Sequence, residues 1–321
     1  MSVEKTDVPG PMTAPAAGEE VLLEEQSLRD GLQNESRLFS LEEKLEIVGL
    51  LAAAGIRRIQ IGSLVDPRRV PQMAGTEELA ARVRVQWPEV LCSALVLNAK
   101  GLDRALDCGL RHLSMSVSIA DAHSRDNAGC SAAAALRSMG GLVRKAVAAG
   151  CTVRAGVQCA FGCTNEHDVD TAAVVAAVHH LVEAGAATIN LADTAGLATP
   201  NRVKQLVEWV AEAVPDTPIS LHFHETRGLG LANLAAGYEC GVRQFDTAAG
   251  GLGGCPFIAG AAGNVATEDA AHLLAEMGVA TGIDLSLLAQ AVYRFEQLLG
   301  RQLAGKRCRM FRPVDASAMP G

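Results

Sequence analysis

The sequence predicts an α/β fold, a (β/α)8 TIM barrel with extra C-terminal helices. Three observations carry that reading. Eight short apolar segments recur at intervals of roughly 20–35 residues, and helical segments lie between them. Most of those helices end in Ala-Gly or Cys-Gly, where a glycine suits the left-handed residue that closes a helix. Such alternation along one chain favours a closed parallel barrel over an open doubly wound sheet.

The first strand is read at Val21 to Gln26, followed by a polar turn from Ser27 to Glu35. Ser40 with Glu43 three residues later is a capping box, and it opens an apolar-periodic helix that stops near Gly55. Strands two to five follow at Arg58 to Gly62, Val90 to Leu97, His112 to Val117 and Thr152 to Ala160. Strands six to eight are Thr188 to Ala192, Ile219 to His224 and Arg243 to Thr247. Helices ending at Gly55, Gly109, Gly150, Gly185 and Gly241 separate them. The expected organisation is a loose tail over residues 1–19, a barrel over 20–264 and a helical extension over 265–321.

Composition narrows the function classes. A chain of 321 residues, 49% hydrophobic and 20% charged, can bury a large core, and its length fits either one barrel-sized domain or two smaller ones. It holds no run of eighteen apolar residues, so no membrane span is expected. A net charge of -8 with 3% aromatics leaves neither the basic surface nor the stacking residues of a nucleic-acid binder. Nine cysteines without regular spacing read as reduced thiols in a cytoplasmic protein.

The chemistry centres on Leu221-His222-Phe223-His224-Glu225. Strand side chains alternate, so His222 and His224 share one face, about 7 Å apart along the strand. Two imidazoles so placed can share a divalent cation, but a lone pair of this kind reads equally well as two hydrogen-bonded histidines. In barrels of this type the site is built from loops at the carboxyl ends of the strands. There lie Arg29-Asp30-Gly31-Leu32-Gln33-Asn34 after strand one and Asp193-Thr194-Ala195-Gly196 after strand six. Strand eight is followed by Gly250-Gly251-Leu252-Gly253-Gly254-Cys255-Pro256 and then Gly263-Asn264.

Taken together, these segments and Val70-Pro71-Gln72-Met73 resemble, in order over residues 21 to about 305, the 3-hydroxy-3-methylglutaryl-CoA lyase family. That family is part of a wider metal-dependent lyase and Claisen-condensing barrel superfamily. The resemblance implies metal ligands at Asp30, His222, His224 and Asn264. Two imidazoles with carboxylate and amide oxygens suit Mg²⁺ or Mn²⁺. It further implies an acyl-CoA substrate and a homodimer.

Retro-Claisen cleavage of a 3-hydroxyacyl thioester removes a hydroxyl proton, releases a ketone and expels a thioester enolate. By resemblance, Arg29 stabilises the enolate oxygen and Cys255 helps deliver a proton to the enolate carbon. His222 is a candidate proton acceptor, beside a metal-bound group. Gln33 is a candidate for holding substrate, and Asp193 for substrate binding or for orienting a ligand or water. Glu25, read on the inside of strand one, is placed to support Arg29. Asp30 alone would be a turn residue and Asn264 a loop amide; their company with the histidines makes them ligand candidates.

Three positions depart from the family pattern: strand two at Gln60, Phe223, which replaces a small residue between the histidines, and Glu225, which replaces an aspartate. Gln60 stands where the family has a glutamate, which removes a negative charge beside Arg29. Related thioesters therefore compete as substrate, namely citramalyl-CoA or a longer 3-substituted glutaryl-CoA. An acetyl-CoA-dependent Claisen synthase and a catalytically silent barrel are the remaining readings. Residues 265–321 are too short for the large regulatory domain of such synthases.

Overall fold

A computed structural model describes residues 20–163, 169–254 and 263–311. Eight parallel strands close into a barrel in sequence order. They are β1 (Leu22–Glu25), β2 (Arg58–Ser63), β3 (Leu91–Leu95), β4 (His112–Ser118), β5 (Thr152–Gln158), β6 (Thr188–Asp193), β7 (Ile219–Phe223) and β8 (Gln244–Thr247). Each strand is within a few residues of its sequence-based bounds. β3 is shorter than expected by one residue at its start and two at its end, and at β5 Cys159 takes a φ of 59°, a conformation strained for a side-chain-bearing residue, and ends the strand early.

The ring outside is α1 (Leu41–Ala53), α2 (Thr76–Gln86), α3 (Ala99–Asp107), α4 (Asp121–Ala128), α5 (Ala132–Ala148), α6 (Thr171–Glu183), α7 (Pro200–Ala213) and α8 (Gly230–Glu239). After β8 come α9 (Thr267–Glu276), packed on α8, and α10 (Leu285–Leu299), packed on α1 and α9. The capping box at Ser40 forms with both of its bonds: the Glu43 N–H donates to Ser40 Oγ and the Ser40 N–H donates to the Glu43 carboxylate. Gly55 shows why its helix ends on glycine. Its φ is 94°, and a Cβ there would meet the Gly282 carbonyl oxygen at 2.3 Å.

Strand alternation divides the core in two. Leu23, Ile59, Ile61, Val153, Val157, Ile189, Leu221, Phe223 and Phe245 are buried on the outer face, under the helices. The inner face is polar. Ser93, Ser114, Arg154, Asn190, Ser220, His222 and Asp246 point into the barrel, joined by hydrogen bonds such as Asn190 Nδ2 to Ser220 Oγ at 3.0 Å. Phe223, between the two histidines, faces outward and packs on Phe161 with ring centroids 5.9 Å apart.

The alternation also corrects one expectation. Glu24, and not Glu25, is the acid inside β1, because it accepts from Ser93 Oγ at 2.7 Å and lies 3.3 Å from Arg154. Glu25 points the other way. It accepts from the Ser27 and Ala249 N–H groups, both at 2.9 Å, and from Thr267 Oγ1 at 2.6 Å. It therefore ties the β1 and β8 loops to the start of α9 instead of supporting Arg29.

Glu268, in the first turn of α9, is fully buried and accepts from the Gly250 N–H at 3.0 Å. Burial pushes its carboxyl up to about 7. The folded state therefore binds a proton more tightly than the unfolded chain, whose carboxyl keeps its ordinary value near 4.5. Stability falls as pH rises from about 5 through 7, by on the order of 2–3 kcal/mol from this group. Glu268→Gln is expected to flatten the melting temperature against pH between 5 and 8; an unchanged slope would contradict this assignment.

Candidate metal centre

After β1 the chain makes a wide helical turn from Ser27 to Gly31, in which the Gln26 carbonyl accepts from the Arg29 N–H at 3.0 Å and the Gly31 N–H at 3.1 Å. Wide turns of this kind are common at functional sites. This one carries Arg29 and Asp30 to the carboxyl end of the barrel. There His222 and His224 arrive from β7, with their Nε2 atoms 3.1 Å apart and directed at one place. Asp30 Oδ2 lies 3.5 Å from His224 Nε2, and ligand atoms of Asp30, His222 and His224 all fall within 4.8 Å of one another.

Asn264 joins them through the backbone. The Glu225 N–H donates to the Gly263 carbonyl at 2.9 Å and the Val265 N–H to the Phe223 carbonyl at 3.2 Å, so residues 263–265 lie against the end of β7. The Asn264 Nδ2 group donates to Asp30 Oδ2 and to the Leu252 carbonyl, each at 2.9 Å. Its Oδ1 is buried with no donor among the described residues. A buried oxygen left without a donor beside a carboxylate and two imidazole nitrogens fits a cation with a mixed nitrogen and oxygen shell.

Electrostatics agree with that fit. Burial works to raise the Asp30 carboxyl, but Arg29 and the two imidazoles outweigh it and hold the group well below its ordinary value. Asp30 is thus ionised, as a ligand must be. Behind His222, the ring Nδ1 lies 3.1 Å from Asp246 Oδ2. This places the ring proton on Nδ1 and leaves the Nε2 lone pair facing the centre. Asp246 sits opposite both His222 and Glu24 in register. It pairs with Arg154 at 2.5 Å, and that arginine outweighs burial in keeping the Asp246 carboxyl low.

Arg29 is held on three sides. It donates from Nη1 to Asp30, from Nε to Gln60 Oε1, and from Nη2 to Gln26 Oε1 at 3.2 Å. Gln60 thus occupies the place beside Arg29 that the sequence comparison gave to a missing carboxylate. Asp193 is buried at the end of β6. Its Oδ1 accepts from the Leu197 N–H at 2.7 Å, while Oδ2 has no partner among the described residues. Burial raises its carboxyl against the pull of His224 and His222. Gln33 is half-buried on the turn after Asp30. Cys255 and the tail over residues 1–19 lie outside the described residues.

The described part of the glycine loop, up to Gly254, comes very near this centre. Gly253 has a φ of 109°, and a Cβ on it would lie 2.6 Å from Asn264 Nδ2 and 3.4 Å from Asp30 Oδ2. Asn34 Nδ2 reaches across to the Gly254 carbonyl at 2.8 Å. Gly253→Ala is expected to displace Asn264 and lower kcat by about 10²-fold, the scale of an ångström-sized misplacement. Wild-type turnover in a folded variant would contradict that placement.

Sequence reasoning missed Glu24, Gln26, Arg154 and Asp246. A signal existed for three of them: Glu24, Arg154 and Asp246 are charged residues within strands, which is unusual in a parallel barrel, whereas Gln26 is uncharged and lies just past β1.

Comparison with known proteins follows the same line. The HMGL-like family model matches residues 20–293. The chain is 39% identical to the (R)-citramalyl-CoA lyase of Chloroflexus aurantiacus, with 89% of this chain and 93% of that protein covered. It is 38% identical to the 3-hydroxy-3-isohexenylglutaryl-CoA/hydroxymethylglutaryl-CoA lyase of Pseudomonas aeruginosa, covering 88% and 93%. An HMG-CoA lyase of Acinetobacter baumannii in complex with coenzyme A and 3-methylmalate superposes with a TM-score of 0.86 at 33% identity, covering 96% of this chain and all of that one. With a polar-lined barrel, a three-donor cluster at its carboxyl end and a family model that spans nearly the whole described chain, the protein belongs to the HMGL-like family of carbon–carbon lyases.

Proposed function

We propose that this chain is a divalent-metal-dependent lyase that cleaves a 3-hydroxy-3-methylglutaryl-CoA-like thioester by a retro-Claisen reaction, giving acetyl-CoA and a keto acid. The observation that carries this reading is the meeting of Asp30, His222 and His224 beside the unpartnered Asn264 oxygen. These four residues would hold Mg²⁺ or Mn²⁺, with coordination positions left for substrate oxygens. When bound, the cation supplies Lewis-acid polarisation and acidifies a substrate hydroxyl.

The chain's own groups do the rest. Arg29, anchored on three sides, presents a fixed positive charge to the thioester oxygen as the C2–C3 bond breaks and its electron pair moves into the enolate. His222 is kept in one tautomer by Asp246, so its single ring lone pair, on Nε2, serves as a ligand; it accepts the hydroxyl proton only where Nε2 is uncoordinated. Cys255, by likeness to the family, returns a proton to the enolate carbon. Asp193 lies at the same end of the barrel, where its free oxygen can orient substrate or water.

A second reading concerns the acyl group. The Chloroflexus relative is named for citramalyl-CoA, and the A. baumannii structure holds 3-methylmalate beside coenzyme A. Neutral Gln60 against Arg29 leaves the pocket one negative charge short of what a glutamate would give it, a difference that acts on the choice of acyl group.

The test is a panel of 3-hydroxyacyl-CoAs incubated with the protein and Mg²⁺ or Mn²⁺, with acetyl-CoA followed by chromatography. Cleavage that chelator abolishes and metal restores is expected. If no thioester in the panel is cleaved, the reading fails; if free CoA is released in a condensation, the synthase reading replaces it.

A further inference from the structure

Gln26 and Gln60 are buried side by side with Arg29, and neither is solvent-accessible. Each uses its Oε1 to accept from the guanidinium, which fixes the orientation of both carboxamides. Each Nε2 group is then left buried with no acceptor among the described residues. Two orphaned amide donors around one cationic side chain make a demand for an acceptor. An ionised carboxylate meets it best, because the same group also answers the charge of Arg29, which among the described residues is paired with Asp30 alone. A glutamate at position 60 would do the opposite, offering no donor and repelling an incoming anion.

Resting on the lyase reading above, we infer that Gln26 and Gln60 are specificity-determining residues: they receive the acyl carboxylate beside Arg29, and so select thioesters carrying that carboxylate directly on the hydroxyl-bearing carbon. The location decides between the two substrate classes. Arg29 donates to Asp30, a proposed metal ligand, so an anion held by the two carboxamides lies one side chain from the proposed centre. A carboxylate on the carbinol carbon occupies that place, whereas one set out by a further methylene extends past it. The unfavoured class is therefore the glutaryl type.

The experiment compares citramalyl-CoA with 3-hydroxy-3-methylglutaryl-CoA on the Mg²⁺-loaded full chain. Wild type is expected to show the larger kcat/KM for citramalyl-CoA. Gln60→Glu is expected to shift the ratio of the two kcat/KM values by about 10–100-fold toward the glutaryl thioester. Gln26→Met, which also removes a donor but adds no charge, shifts it the same way by a smaller factor and serves if Gln60→Glu does not fold. Calorimetry of free citramalate in the presence of CoA and Mg²⁺ gives a reading independent of turnover, with affinity falling in both variants. A wild-type preference for the glutaryl thioester, or ratios and affinities unchanged within about twofold in a folded variant, overturns the inference. Absence of cleavage with every thioester, together with a loss of citramalate affinity in the variants, would instead sink the lyase reading and leave the carboxylate site standing.

Discussion

Asp30→Asn is expected to bind Mn²⁺ at least about 10²-fold more weakly than wild type and to retain less than about 10⁻³ of its turnover. The substitution keeps the shape of the side chain and removes its charge. In the native site that charge is unusually secure, since Arg29 and both imidazoles hold the carboxyl well below its ordinary value. Asparagine offers a single weaker oxygen, and that oxygen is already sought by the Asn264 Nδ2 group, which donates to Asp30 at 2.9 Å. Arg29 also loses the counter-charge on its Nη1, so the residue that faces the enolate is no longer anchored there. His222→Ala is expected to be as damaging, through loss of a nitrogen ligand. Mn²⁺ calorimetry and single-turnover cleavage measure the two effects separately. Full metal affinity in Asp30→Asn would remove Asp30 from the ligand set and with it the proposed centre.

How much of this was open to inspection in the sequence depends on the range of the interaction. Strand positions follow from short apolar runs and helix ends from local chemistry, and both were legible: the capping box at Ser40 needs only its neighbours. The pairing of His222 with His224 was legible for the same reason, since a period of two is a property of one strand. Asp30 and Asn264 were legible only through the family resemblance, because their approach is set by the register of residues 263–265 against β7. The inner network was not found. Glu24, Arg154 and Asp246 come from three strands, and which of them meet inside a barrel is fixed by strand stagger, which no single strand encodes. The misplacement of Glu25 has the same root. A one-residue difference in where β1 is taken to face the interior exchanges Glu25 for Glu24.

That inner network leads to the other large effect. Arg154 lies between two carboxylates, 2.5 Å from Asp246 and 3.3 Å from Glu24, inside the barrel. Both are buried, and the Asp246 carboxyl is kept low chiefly by Arg154 working against burial. Arg154→Met removes the positive charge that reconciles them, leaving two like charges opposite one another in register on β1 and β8. Breaking a buried ion pair from one side costs about 3–5 kcal/mol, which for a chain of this size lowers the melting temperature by on the order of 10 °C. The Asp246 carboxyl then rises, its grip on the His222 ring proton weakens, and metal affinity falls by about 10–100-fold. Adding Glu24→Gln and Asp246→Asn to Arg154→Met removes the unpaired charges, so most of the lost stability should return. Metal affinity should not return, because a carboxamide facing Nδ1 can donate as well as accept and no longer fixes which ring nitrogen carries the proton. Calorimetric melting paired with Mn²⁺ titration across the single and triple variants separates the two roles. Recovery of metal binding along with stability in the triple variant would show that the network only fills the barrel and does not orient His222.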